Sequence, residues 1–99
     1  MLSSRAMIQV HHFIPEALAE VLRKAPLTDE KVAFAWRTAV GAHVHRITTI
    51  ELRARVLHVR ARDATWRREI ERSAPLIRAR LDALLGPGIV HFVEVHTGR

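Results

Sequence analysis

Between residues 44 and 62 the apolar residues change period, from the three-and-four spacing of a helix to the every-second spacing of a strand. This switch constrains the fold more than any other feature, because a pattern of one period cannot bury its apolar side in the other geometry. From Val56 to Arg62, Leu57, Val59 and Ala61 alternate with His58, Arg60 and Arg62, as in a half-buried strand. Ile47 to Arg53, just before, is rich in β-branched residues. The two segments predict an antiparallel pair. Their linker, Arg53-Ala54-Arg55, lacks the Asn-Gly or Gly signal of a tight hairpin, so no turn type follows from it.

Helical stripes flank this pair. Pro15 suits the first turn of a helix whose apolar face is Ile14, Leu18, Val21 and Leu22, with Glu16, Glu20 and Arg23 opposite, and Pro26 stops it. Thr28 is a good N-cap for a second helix, with Asp29 and Glu30 at the positive end of its dipole. Val32, Ala35, Trp36, Ala39 and Val40 form its stripe, and Gly41 stands where a left-handed C-terminal cap falls. A third helix runs from Asp63, a candidate N-cap, to Leu85 along Trp66, Ile70, Ala74, Ile77, Leu81 and Leu84. Pro75 predicts a kink there, or a restart capped by Ser73. Gly86-Pro87-Gly88 ends the helix, and Ile89 to Val95 reads as a last strand, apolar enough to be covered on both sides. The order α-α-β-β-α-β implies an α+β domain, a three-stranded sheet with helices packed on one face. Residues 1–12 have no period and read as a flexible lead-in; residues 13–99 make one domain, the size 99 residues allow.

Charge is unevenly placed within a net +6. Residues 1–45 hold five basic and four acidic residues, whereas residues 46–99 hold eleven and six, which points to a polyanion-facing half. Strand alternation puts His58, Arg60 and Arg62 on one face with no acid expected beside them. Arg53 and Arg55 lie at the hairpin end, and Arg67, Arg68 and Arg72 ride the polar side of the third helix, partly neutralised by Glu69 and Glu71. Arginine offers phosphate a planar, bidentate fork and stacks on bases. The competing reading is a solvated basic surface. Trp36 and Trp66 lie on buried stripes and read as core, together with Val40, Gly41, Leu57, Val59 and Ile70, rather than as base-stacking platforms.

Catalysis finds no foothold. There is no cysteine, hence no disulfide, thiolate metal site or thiol nucleophile. Ser3, Ser4 and Ser73 lie in no nucleophile-elbow context, and Gly41, Gly86, Gly88 and Gly98 make no phosphate loop. Seven histidines include His43-x-His45 and His11-His12, yet no set of three or four convergent ligands is legible, so they read as scattered solvent residues. No enzyme activity, cofactor, metal or small-molecule substrate is expected. The start of the chain lacks the apolar run of a signal peptide and nothing in it is long and apolar enough to span a membrane, so a cytoplasmic protein without membrane contact is expected.

With these elements placed, residues 30–98 resemble the DciA family of bacterial proteins. The resemblance rests on Trp36-x-x-x-Val40-Gly41, on Val44 and Thr48 before the hairpin, and on Leu57-x-Val59. It continues through Ala64-Thr65-Trp66-Arg67-Arg68-Glu69-Ile70 and Leu81-x-x-Leu84-Leu85-Gly86. Three departures accompany it. Ile47-Thr48-Thr49-Ile50 stands where the family tends to show His-Thr-x-Pro, Arg55 stands where a hairpin glycine is usual, and the 99 residues do not include the long C-terminal tail of many members. The resemblance implies a KH-like fold and a part in loading the replicative DnaB-type helicase onto DNA. RNA-clamping KH domains use a Gly-x-x-Gly loop, which this sequence lacks, so nucleic acid would have to meet the basic strand and helix surface. The reading is therefore a non-enzymatic adaptor binding single-stranded or forked DNA with low sequence specificity, and the helicase. The alternative is a protein–protein module without significant nucleic-acid affinity.

Overall fold

A computed structural model describes residues 15–98, so the lead-in of residues 1–12 and Ile14 of the first apolar stripe lie outside the described residues. Within them the chain is α+β, in the order α1 (Glu16–Lys24), α2 (Asp29–Val40), α3 (Ala42–Arg46), β1 (Thr48–Arg53), β2 (Val56–Ala61), α4 (Ala64–Leu85) and β3 (Phe92–Thr97). The sheet order is β1-β2-β3, with β1 antiparallel and β3 parallel to the central β2. The helices pack on one face. This is the predicted KH-like order with one short helix added.

The starts of α2 and α4 are set by their caps. Thr28 Oγ1 accepts from the Lys31 backbone N–H at 3.1 Å, and Asp63 Oδ1 accepts from that of Trp66 at 3.0 Å, each satisfying a donor that a helix start leaves free. Val32, Ala35, Trp36, Ala39 and Val40 are all buried on α2, and Trp66, Ile70, Ile77, Leu81 and Leu84 on α4. Between them and the inward side chains of the sheet, Leu57, Val59 and Ala61, lies one core that also takes in Val44 and Val90. A single hydroxyl ties three elements together. Thr48 Oγ1, at the start of β1, accepts from Trp36 Nε1 of α2 at 3.0 Å and donates to the Val44 carbonyl of α3 at 2.7 Å.

Several local expectations are corrected. On α1 the packed side is Ala19 and Leu22, while Leu18 and Val21 are exposed. Arg23 is not opposite the core side but reaches α4, donating to the Ala83 carbonyl at 2.9 Å. Lys31, buried, fixes the α1–α2 corner by donating to the Ala25 and Arg23 carbonyls at 2.7 and 3.3 Å, where α1 leaves acceptors unsatisfied. Gly41 has φ 93 and ψ 163, a conformation almost confined to glycine but not the left-handed helical one, and it turns the chain into α3.

Helix α4 runs unbroken through Pro75, with no restart at Ser73. Losing one hydrogen bond to proline costs about 3 kcal/mol, whereas burial of Ile70 and Ile77 on either side contributes about 1.5–3 kcal/mol each and holds both halves on one core. Glu69 is not on a solvated face: it is buried, and its carboxylate accepts from Arg72 Nη1 at 3.0 Å.

The hairpin turn is Ala54-Arg55, with φ 51 and 66. Two positive φ values in a two-residue loop make the turn that matches strand twist, here formed without the usual glycine. The Arg55 carbonyl then accepts from the His91 and Phe92 backbone N–H groups at 2.7 and 3.3 Å, anchoring the entry to β3. The last strand starts at Phe92, not Ile89, and it is covered on one side only: Val93 and Val95 face the core while Phe92 is exposed.

Candidate nucleic-acid interface

The side of the sheet away from the helices is open. Register and alternation bring Thr49, Glu51 and Arg53 of β1, Val56, His58 and Arg60 of β2, and Phe92, Glu94 and His96 of β3 to this one face. Of the predicted binding residues, Arg53, His58 and Arg60 thus share a surface, and a shallow groove of about 330 Å³ runs past them. Arg55 stands at the hairpin tip, exposed.

The expectation that no acid lies beside the strand cations is overturned. Glu51 and Glu94 are the cross-strand partners of His58 on either side. Arg53 Nε lies 3.3 Å from Glu51 Oε1, so the hairpin end of the face is largely neutralised. Alternation within β2 alone carries no sign of the acids on neighbouring strands.

The surplus cation density lies at the other end of β2. Arg46, Arg60 and Arg62 line a second groove of about 330 Å³, with Thr49 and Gly98 between them. Arg62 Nε is 3.4 Å from Asp63 Oδ2, an exposed pair of the kind that contributes about 0–1 kcal/mol and yields readily to a phosphate. Arg46 precedes the alternating segment, so strand alternation does not point to it. The register supplies the signal, since Thr48 pairs with Ala61, which sets the residues before β1 beside those after β2.

Arg67 and Arg68 sit in the first turns of α4, the helix that covers the opposite side of the sheet. Arg68 is exposed and Arg67 half-buried, with its Nε enclosed and without a hydrogen bond. They do not join the open face and flank it at most from the edge beyond Arg62. Asp63, between the two sets, has its carboxyl held below the usual range by the hydrogen bond from the Trp66 N–H and then by Arg62, with partial burial opposing both. It stays ionised beside Arg62. Arg80 lies elsewhere: burial pushes its guanidinium down, and it donates to the Ala39 carbonyl at 3.0 Å.

The tryptophans are not on this surface. Trp36 is 1% and Trp66 8% exposed, and Trp66 meets the His43 ring at 5.4 Å between centroids. Val40, Leu57, Val59 and Ile70 are buried with them, and Gly41 is half-buried. Phe92 is the aromatic on the open face, 57% exposed, where the sequence predicts a strand covered on both sides.

The histidines are less scattered than the sequence suggests. The parallel pairing of β2 with β3 brings His58, Glu94 and His96 together on the open face, a convergence that spans 38 residues and has no local signal. Neither His43-x-His45 nor any other set of three among the described residues converges in this way.

Comparison with known proteins adds one match. No curated protein matches the chain. The sequence model of one family, described as Dna[CI] antecedent, DciA, matches residues 9–95. That span takes in α1 through most of β3, including both tryptophans and the glycine that ends α2, and on this ground the chain belongs to the DciA family.

Proposed function

We propose that this protein is a non-enzymatic adaptor that binds DNA and assists the loading of the DnaB-type replicative helicase at the start of replication. Membership of the DciA family is the observation that carries the helicase part. The DNA part is supported by the Arg46, Arg60 and Arg62 cluster, placed at the end of a sheet face where phosphates can approach without displacing core residues. Arg60 anchors the surface, since among the described residues it makes no ion pair or hydrogen bond and is exposed. Arg53, Arg55 and His58 extend the contact along the hairpin, and Arg67 and Arg68 extend it past Arg62. Bidentate guanidinium–phosphate contacts with few base contacts give weak binding of single-stranded or forked DNA with little sequence preference. Nucleotide hydrolysis belongs to the helicase. The protein works in the cytoplasm, and no helix among the described residues is long and apolar enough to cross a membrane.

A second reading, a protein–protein module with no significant nucleic-acid affinity, is favoured by Glu51 and Glu94 on the open face and by the exposed Phe34, Leu76 and Phe92. Light scattering of the mixed purified chain and helicase, with and without a forked DNA, separates the two. The adaptor reading predicts a binary complex and a heavier ternary one. A binary complex whose mass and affinity DNA leaves unchanged favours the second reading, and no complex at micromolar concentration contradicts both.

A further inference from the structure

The open face carries a constellation of which the basic interface uses only His58. His58 and Glu94 are register partners across the parallel β2–β3 pair and His96 follows two residues on, so the three side chains leave the sheet on one side. Nδ1 of His58 lies 3.4 Å from Nε2 of His96 and 3.3 Å from Oε1 of Glu94, and the latter two atoms are 3.8 Å apart.

These spacings distinguish two ways of satisfying the cluster. Hydrogen bonds of good strength would bring such atoms to about 2.7–3.2 Å, and charge-assisted ones to the short end of that range. All three separations are longer. Atoms that share a tetrahedral ion at bond lengths of about 2.0–2.1 Å stand about 3.3–3.4 Å apart, the spacing found for two of the three pairs. A point about 0.5 Å out of the plane of the three atoms, on the side of a fourth ligand, lies about 2.1 Å from each, within the range of Zn–N and Zn–O bonds.

We infer that His58, Glu94 and His96 form a three-ligand site for a divalent transition-metal ion of the zinc class, with a fourth position open to solvent. The donor set selects the ion. Two imidazoles and one carboxylate suit zinc, cobalt, nickel or copper, whereas magnesium and calcium require a shell of oxygens. His58 is fixed on the central strand and only 23% exposed, while Glu94 and His96, at 57% and 42%, leave the approach open. The imidazole rings stack at 14° and turn about χ2, a broad torsion, to aim both lone pairs at the ion. Glu51 is not a ligand, because Arg53 engages it at 3.3 Å. Arg60, the register partner of His96, places positive charge beside the ion, so the fourth ligand is a water or an anion such as a phosphate oxygen.

The test is a zinc titration of the full chain against a chromogenic chelator, repeated with cobalt, whose visible absorption reports a tetrahedral nitrogen–oxygen shell. The wild type takes up one equivalent that depends on these residues. Glu94→Gln weakens zinc binding, and the double substitution His58→Ala with His96→Ala weakens it beyond the roughly 10–100-fold that loss of an outer-shell partner costs and abolishes the cobalt bands. Metal-free melts of each variant establish that it folds. Should the double variant not fold, His96→Ala alone, at a half-buried position on the edge strand, must show the same loss. No uptake by the wild type at micromolar zinc overturns the proposal. So does equal uptake by wild type and variants, which would assign the metal to other histidines such as His11 and His12.

Discussion

Replacing Thr48 with valine tests the account of the core at one atom. The substitution keeps the shape of the side chain and removes the hydroxyl that Trp36 Nε1 donates to at 3.0 Å and that itself donates to the Val44 carbonyl at 2.7 Å. The Val44 carbonyl retains the Ile47 N–H at 3.2 Å, so its loss is partial. Trp36 is 1% exposed, and its N–H would be left buried without an acceptor, which costs about 1–3 kcal/mol. With the weakened Val44 contact the total is about 2–3 kcal/mol, a large part of the roughly 5–15 kcal/mol by which domains are stable. At about 4–8 °C per kcal/mol for a domain of this size, Tm should fall by about 8–24 °C. Thr48→Ser keeps the hydroxyl and loses one methyl, so it should cost no more than about 1 kcal/mol. Urea and thermal denaturation followed by circular dichroism give both numbers. The reasoning fails if valine is within about 0.5 kcal/mol of wild type, or if serine is as damaging as valine.

Two further outcomes follow from backbone and cap geometry. Arg55 holds φ 66, which costs a side-chain-bearing residue about 1–2 kcal/mol, so Arg55→Gly should stabilise the hairpin by about 0.5–1 kcal/mol after the entropy glycine gains on unfolding; a higher urea midpoint at unchanged slope is the check. Asp63 has a carboxyl pKa lowered in the fold, so its contribution is present above the unfolded value of about 3.9 and is lost as pH falls through the lower folded value. Asp63→Asn keeps an acceptor for the Trp66 N–H without titrating, and its stability should fall less steeply than wild type on acidification across that window, read by denaturation at stepped pH.

Legibility in the sequence follows the range of the interactions. The stripes of α2 and α4, the caps at Thr28 and Asp63 and the alternation of β2 are local patterns, and each is readable because one element alone sets it. Pro75 does not make the helix restart at Ser73, because local propensity is outweighed by packing of Ile70 and Ile77 on the same core. Leu18 and Val21 mislead in the opposite sense, because an apolar residue on a helix is buried only if a neighbour covers it. The site is half legible. Arg53, His58 and Arg60 do share a face, but Glu51, Glu94, His96 and Arg46 reach it through pairings between strands, and the parallel partner of β2 lies more than 30 residues away along the chain.

The measurement that bears most directly on the function is salt-titrated fluorescence anisotropy of single-stranded DNA with wild type and with Arg60 and Arg62 both changed to Glu. Both residues are exposed and outside the core, so the double variant should melt like wild type. Each phosphate held by a cation contributes about 0.7 to the slope of log affinity against log salt, so about four such phosphates predict a slope near −3. The variant should bind more weakly, with a slope shallower by about 1.4, because it can no longer hold the two phosphates that Arg60 and Arg62 neutralise. Equal affinities and equal slopes for the two proteins would mean that the arginine cluster is a solvated surface and would contradict the DNA-binding half of the account.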